Sequence, residues 1–225
     1  MPQLRVMTYN IYLGGRGGRL LDQVVRAAAP DVLVVNESPH YPGVWRWRCR
    51  GLARRWAMDL VVGGRPAGSL MLLAKPGLRV TFRHQKVLGR PPFRPRRGIV
   101  SAEVEVGGRP VGIVGCHLSL HADERAREVE KVVEAADSLG DPVVVAGDLN
   151  ERPNGPSWRR LREAGFEDAG TRDWLTFPAD SPVKRIDAVL VRGDVAVFHH
   201  GDPGVPAELQ AAASDHRPVL AVLTL

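Results

Sequence analysis

Short apolar runs of strand length recur along this chain, and the polar residues at or just past their ends belong to a narrow set: Asn, Glu, Asp or His. Residues 4–10 and 32–36 come first, separated by a glycine-rich turn at 14–18 and a helical pattern over 20–29. That order reads as strand, helix, strand. Both runs are nearly continuous in apolar residues, which predicts strands buried on two faces with polarity confined to their C-terminal ends.

Farther along, a basic helical segment covers 44–56, and strands are expected at 59–62, 69–74, 79–84, 99–106 and 111–116. Gly107-Gly108 marks a hairpin between the last two, because a tight turn there needs positive φ. An amphipathic helix over 122–139 leads to an apolar strand at 143–146, and a further helix starts near Pro156-Ser157. Strands at 186–191, 195–199 and 218–223 finish the pattern. Short strands with helices interspersed in both halves predict sheet packed on sheet, with helices outside.

No low-complexity linker divides the 225 residues, so residues 1–225 are expected to form a single domain. A chain 44% hydrophobic and 25% charged is ordinary for a globular protein, which excludes disordered and fibrous classes. The net charge of +6 favours anionic partners, nucleic acid among them, without choosing between them. Only four of the 31 basic residues are Lys, a bias that a GC-rich genome would also produce. Cys49 and Cys116 lack metal-ligand spacing and read as free thiols. Residues 1–10 enter a strand with neither a signal-peptide core nor a transmembrane run, so the expected location is the cytoplasm and the expected state a monomer.

Chemistry concentrates at Asn10, Glu37, His117, Asp148, Asn150, Asp187, Asp215 and His216. Carboxylates and amide oxygens at the ends of rigid strands are the donors that Mg²⁺ or Mn²⁺ prefers. Taken singly, Asp148-Leu149-Asn150 or Ser214-Asp215-His216 is an ordinary turn. Glu37 is less ordinary, because a carboxylate directly after Val32-Leu33-Val34-Val35-Asn36 risks costly desolvation unless a cation or hydrogen bond compensates.

In order, Thr8-Tyr9-Asn10, Asn36-Glu37, Gly115-Cys116-His117-Leu118, Gly147-Asp148-Leu149-Asn150, Arg185-Ile186-Asp187 and Ser214-Asp215-His216-Arg217-Pro218 resemble the motif series of the endonuclease/exonuclease/phosphatase superfamily. The resemblance runs nearly end to end. It implies the DNase I-like α/β fold: a four-layer α/β/β/α sandwich of two stacked mixed β-sheets flanked by helices. It also implies a Mg²⁺- or Mn²⁺-dependent phosphoesterase acting on a phosphate-ester substrate. Glu37 would be the principal metal ligand, with Asn10 and Asp215 close to the same ion or its waters. Asp148 and Asn150 look like the pair that positions the attacking water, His216 like the catalytic imidazole oriented by Asp187, and His117 like the histidine that contacts the scissile phosphate. The same constellation leaves acid and base unassigned.

Further candidates for substrate contact are Arg97, whose planar fork suits phosphate, and Arg125, at the spacing where relatives often carry an arginine in the next helix. A solvated helix face explains Arg125 equally well. Trp174, Thr176 and Phe177 precede Asp187 where relatives place a loop near the substrate. Trp45, Trp47 and Trp56, interleaved with arginines, fit a nucleic-acid surface or, as the simpler reading, a helix packing its Trp inward and its Arg outward. Asn36 stands where glutamine is usual, and the continuation Glu151-Arg152-Pro153 departs from the abasic-site endonucleases. The favoured reading is a nuclease-like phosphodiesterase. A phosphatase or a phospholipid or inositol-phosphate esterase of the same superfamily is the alternative, ahead of a non-catalytic anion-binding module.

Overall fold

The computed structural model describes residues 1–89, 95–170 and 174–225. In chain order the elements are β1 (Gln3–Asn10), α1 (Gly18–Ala28), β2 (Val32–Asn36), α2 (Trp45–Arg55), β3 (Asp59–Gly64), β4 (Leu70–Ala74), β5 (Arg79–Val87), β6 (Gly98–Val106) and β7 (Arg109–His117). Then come α3 (Ala122–Asp137), β8 (Val143–Asp148), α4 (Pro156–Glu163), β9 (Glu167–Asp168), β10 (Asp187–Arg192), β11 (Ala196–Gly201), α5 (Ala207–Ala213) and β12 (Val219–Thr224).

Two six-stranded sheets result, ordered β11-β12-β1-β2-β4-β3 and β5-β6-β7-β8-β10-β9. Both are mixed: β1 with β2 and β7 with β8 pair parallel, and their other neighbours pair antiparallel. Strand alternation sends successive side chains to opposite faces. Val6, Val34, Ile113, Ala146, Val189 and Ala221 meet in the layer between the sheets. Met7, Leu33 and Met71 face the other way, onto α1 and α2. Val114, Val145 and Leu190 likewise face α3 and α4.

The helices dock through stripes of the expected period. Leu21, Val24, Val25 and Ala28 of α1 pack on the first sheet, and Val129, Val132, Val133 and Ala136 of α3 pack on the second. Each fully buried Leu or Val in these stripes contributes about 1.5–3 kcal/mol of apolar transfer. Asp123 and Glu124 in the first turn of α3 complement its dipole. The order of layers is therefore helix, sheet, sheet, helix, as expected.

The Gly107-Gly108 turn joins β6 to β7 with φ of +59° and +83°, the conformation that favours glycine at both central positions. Both cysteines are buried free thiols. Two elements lie outside the sequence expectation: β9, two residues long, and α5, whose run of alanines carries no clear amphipathic period. No helix among the described residues is long and apolar enough to cross a membrane.

Candidate active site

Strand direction and parity together build the site. The C-terminal ends of β1, β2, β7 and β8 meet the N-terminal ends of β10 and β12 at one end of the sandwich. In β1, Thr8 and Asn10 continue the inward parity of Leu4 and Val6. Asn36 follows Val34, His117 follows Ile113 and Gly115, and Asp148 follows Ala146 by the same rule. The layer between the sheets thus turns from apolar to polar at one end, and ladder register aligns His117, Asp148 and Asp187 side by side.

Asn10 is the hub. Its Nδ2 lies 3.2 Å from Oδ2 of Asp148, 3.3 Å from Oε1 of Glu37 and 3.5 Å from Nε2 of His216. Its own Oδ1 accepts the Tyr12 N–H. Glu37 reaches it from a left-handed residue, φ +55°, directly after β2, a conformation uncommon for a side chain of this size and typical of functional sites. Asp215 sits half-buried beside His216, and Ser214 holds that turn by donating to the Asn10 carbonyl at 2.7 Å and accepting the His216 N–H.

His216 Nδ1 stands 2.9 Å from Oδ2 of Asp187, and both residues are buried. Burial alone would push the imidazole pKa down; the charges of Asp187, Asp148 and Asp215 and the hydrogen bond to Asp187 outweigh it and raise the value to about 10. Burial and the neighbouring Asp187 raise the Asp148 carboxyl as well, to about 7. His117, fully buried with Arg97 Nη1 at 2.8 Å from its Nε2, is held well below the usual range by burial, Arg97 and His216. Ligand atoms of Asp148, Asp187 and His216 lie within 4.8 Å of one another. The Asp187 bond occupies Nδ1, and a protonated ring donates rather than coordinates, so this trio is better suited to moving protons than to holding a cation.

Asn150, with φ +49°, donates its backbone N–H to Asp148 and its Nδ2 to the Leu118 carbonyl at 2.8 Å. Phe177 packs on His216 with ring centroids 4.8 Å apart. Trp174 is tied instead to the Pro218 carbonyl, 3.0 Å away. Arg125 donates to Glu151, Ser119 and Leu120, which makes it a strut for the loop after β7 rather than part of the cluster. Of the tryptophans, Trp56 is buried, Trp45 half-buried and Trp47 75% exposed.

Further residues support the cluster through contacts that their position in the sequence does not reveal. Thr176 Oγ1 accepts the N–H groups of Ile186 and Asp187. Thr8 donates to Asn36, whose amide crosses to the other sheet and donates to the Cys116 carbonyl at 2.7 Å. The Tyr9 hydroxyl is buried and has no hydrogen-bond partner among the described residues. A small hydroxyl residue reveals such a duty only once its tertiary neighbour is known.

Comparison with known proteins agrees with this geometry. The Endonuclease/Exonuclease/phosphatase family model matches residues 7–216. YbhP, an uncharacterized protein of Escherichia coli (strain K12), is 26% identical over 138 residues, 58% of this chain and 53% of that protein. Mouse (Mus musculus) tyrosyl-DNA phosphodiesterase 2 is 31% identical over 133 residues, 55% of this chain and 33% of that protein. The match therefore spans about half the length of YbhP and a third of the mouse protein. In fold, a solved mannosyl-6-phosphatase of Bacteroides thetaiotaomicron superposes with a TM-score of 0.80 at 18% identity, covering 99% of this chain and 100% of that one. With its strand-end motifs converged and the family match running from β1 to His216, the chain belongs to the endonuclease/exonuclease/phosphatase family of hydrolases that act on phosphate esters.

Proposed function

We propose that residues 1–225 act as one nuclease-like phosphodiesterase, in which water attacks phosphorus at the end of the sandwich where Asn10, Asp148 and His216 meet. The observation that carries this reading is the Asn10 amide, 3.2 Å from Asp148 and 3.5 Å from His216, which ties together residues far apart in the chain. The name of the mouse relative, tyrosyl-DNA phosphodiesterase 2, also favours a phosphodiester.

Glu37 and Asp215, with Asn10 beside them, would hold Mg²⁺ or Mn²⁺, because an all-oxygen set of half-buried carboxylates suits a hard cation that keeps several waters. Once bound, that ion supplies charge withdrawal from phosphorus and offsets the negative charge of the transition state.

Asp148 is positioned to take the proton from the attacking water, and its raised pKa suits a base working near neutrality. As the new P–O bond forms, the bond to the leaving oxygen breaks and its electron pair departs with that oxygen. The His216 imidazolium, held by Asp187, faces the charge that develops on the phosphoryl group. His117, its Nε2 3.4 Å from Oδ2 of Asp148, and Arg97 beside it add a neutral donor and a cation.

Turnover of bis(p-nitrophenyl) phosphate tests the reading. It is expected with Mg²⁺ or Mn²⁺, to vanish with EDTA, and to fall roughly 10²–10⁴-fold in Asp148→Asn, the usual contribution of a general base. Full activity in the presence of chelator would sink it. Plasmid DNA, RNA, a phosphorylated sugar, an inositol phosphate and sphingomyelin, assayed side by side, separate the phosphodiester reading from the phosphatase and lipid-esterase alternatives.

A further inference from the structure

The edge strands β3 and β5, one from each sheet, lie against each other on one side of the sandwich, with α2 packed beside β3. Between them runs an open groove of about 670 Å³, walled by Trp45, Arg46, Arg50, Arg83, His84 and Gln85. No carboxylate lines it among the described residues. Nor does any described carboxylate pair with Arg46, Arg50 or Arg83. The Arg46 guanidinium rests 5.2 Å above the Trp45 ring, which fixes it toward the groove. Trp47 is 75% exposed and stands three positions before Arg50 on α2, next to the residues that line the groove rather than among them.

Backbone contacts link the groove wall to the end of the sandwich that carries Glu37. Gly64, the last residue of β3, packs so closely under Trp45 that a side chain there would strike the indole ring. Its carbonyl accepts the Ser69 N–H, and the Ser69 carbonyl accepts the N–H of Ser38, the residue after Glu37. A second cleft of about 300 Å³ opens at this junction, bordered by His40, Arg65, Ser69 and Arg96 and again without a lining carboxylate among the described residues.

We infer that this edge is a docking track for single-stranded nucleic acid, in which the arginines follow the phosphates and Trp47 offers a stacking face. The inference rests on the phosphodiesterase reading above and gives it a substrate class. Charge complementarity and an exposed aromatic beside unpaired guanidinium groups are the features that single strands use, since their bases are free to stack. A duplex hides those faces. A membrane surface calls for a convex apolar protrusion, whereas this wall is concave and basic. Arginines also guard sheet edges against strand pairing, which accounts for Arg83 but not for the exposed indole on α2.

The test is fluorescence anisotropy of a fluorescein-labelled oligodeoxythymidylate titrated with the whole protein in EDTA, so that binding is read without cleavage. Wild type is expected to bind, more tightly than it binds the matching duplex, with affinity falling steeply as salt rises. Replacing Arg46, Arg50 and Arg83 together by Ala should weaken binding and flatten the log–log salt slope by about 2, at roughly 0.7 per phosphate contact on a single strand. Trp47→Ala, at a position outside the core, should weaken binding roughly tenfold. The track is overturned if these variants bind with wild-type affinity and salt slope, or if phosphatidylserine vesicles capture the protein and the oligonucleotide does not. Turnover of bis(p-nitrophenyl) phosphate by wild type is read separately. Oligonucleotide binding without that turnover overturns the enzyme reading, and turnover without binding overturns the track.

Discussion

His216 and Asp187 form a buried pair, Nδ1 to Oδ2 at 2.9 Å, and the pair joins two strand ends that approach the site from different sheets. A carboxylate in this position decides both which way the ring faces and how firmly it holds its proton. Asp187→Asn keeps the size and removes the charge. Its expected result is a fall in kcat of roughly 100-fold or more with a smaller change in KM. An NMR titration of the His216 ring should show its pKa drop from the raised value of about 10. An unchanged ring titration would place the source of the shift elsewhere.

Binding of a divalent cation at the proposed site should be visible without catalysis. Glu37 and Asp215 are half-buried carboxylates at the rim of a cluster that already holds Asp148 and Asp187, so a divalent ion that binds there stabilises the folded chain by mass action. Thermal unfolding is expected to shift upward with millimolar Mg²⁺ or Mn²⁺ and to return with EDTA. Glu37→Gln should lose most of that shift while its metal-free melting temperature stays near wild type. Equal metal-induced shifts in both proteins would remove Glu37 from the ligand set.

Gly147 stands directly before Asp148, and its Cα faces the Cys116 carbonyl on the neighbouring strand so closely that any Cβ would be driven into that oxygen. The atom in the way is backbone within a parallel ladder, so it cannot swing aside. Gly147→Ala should therefore destabilise the fold by roughly 3 kcal/mol or more, the upper range for overpacking. Chemical denaturation measures it, and a loss below about 1 kcal/mol, the mean cost of an arbitrary substitution, would show that the strands separate more easily than this contact implies.

What could be read in advance follows from the same geometry. Asp148 was legible because an apolar run, Val143 to Ala146, ends in a glycine and a carboxylate, and parity then aims that carboxylate at the layer between the sheets. The partners of Ser214 and Thr176 were not, because a hydroxyl's partner depends on which backbone passes nearby. Arg125 had the right spacing for substrate contact, but Glu151, contributed by the loop after β8, takes its guanidinium. The groove beside α2 was illegible for another reason. It exists only because β3 and β5 end as the edges of two different sheets on the same side, and local periodicity carries no information on strand order.

His200 gives the fold a pH dependence that is independent of catalysis. Its ring is buried, neither nitrogen has a partner among the described residues, and burial together with the Arg185 charge lowers its pKa from 6.5 to about 4, against the opposing pull of Asp168. Because the folded value is the lower one, the unfolded chain binds the proton more readily between those limits. Stability therefore rises with pH across that window, is fully present above about 6.5, and is lost as pH falls toward 4. At about 1.4 kcal/mol per pKa unit the effect amounts to about 3 kcal/mol. Urea denaturation of wild type and His200→Phe at a series of pH values isolates it, because the variant lacks only this titration. The variant's stability should fall less steeply on acidification, by about that amount over the window. Parallel curves for the two proteins would mean that His200 gains its proton as easily folded as unfolded.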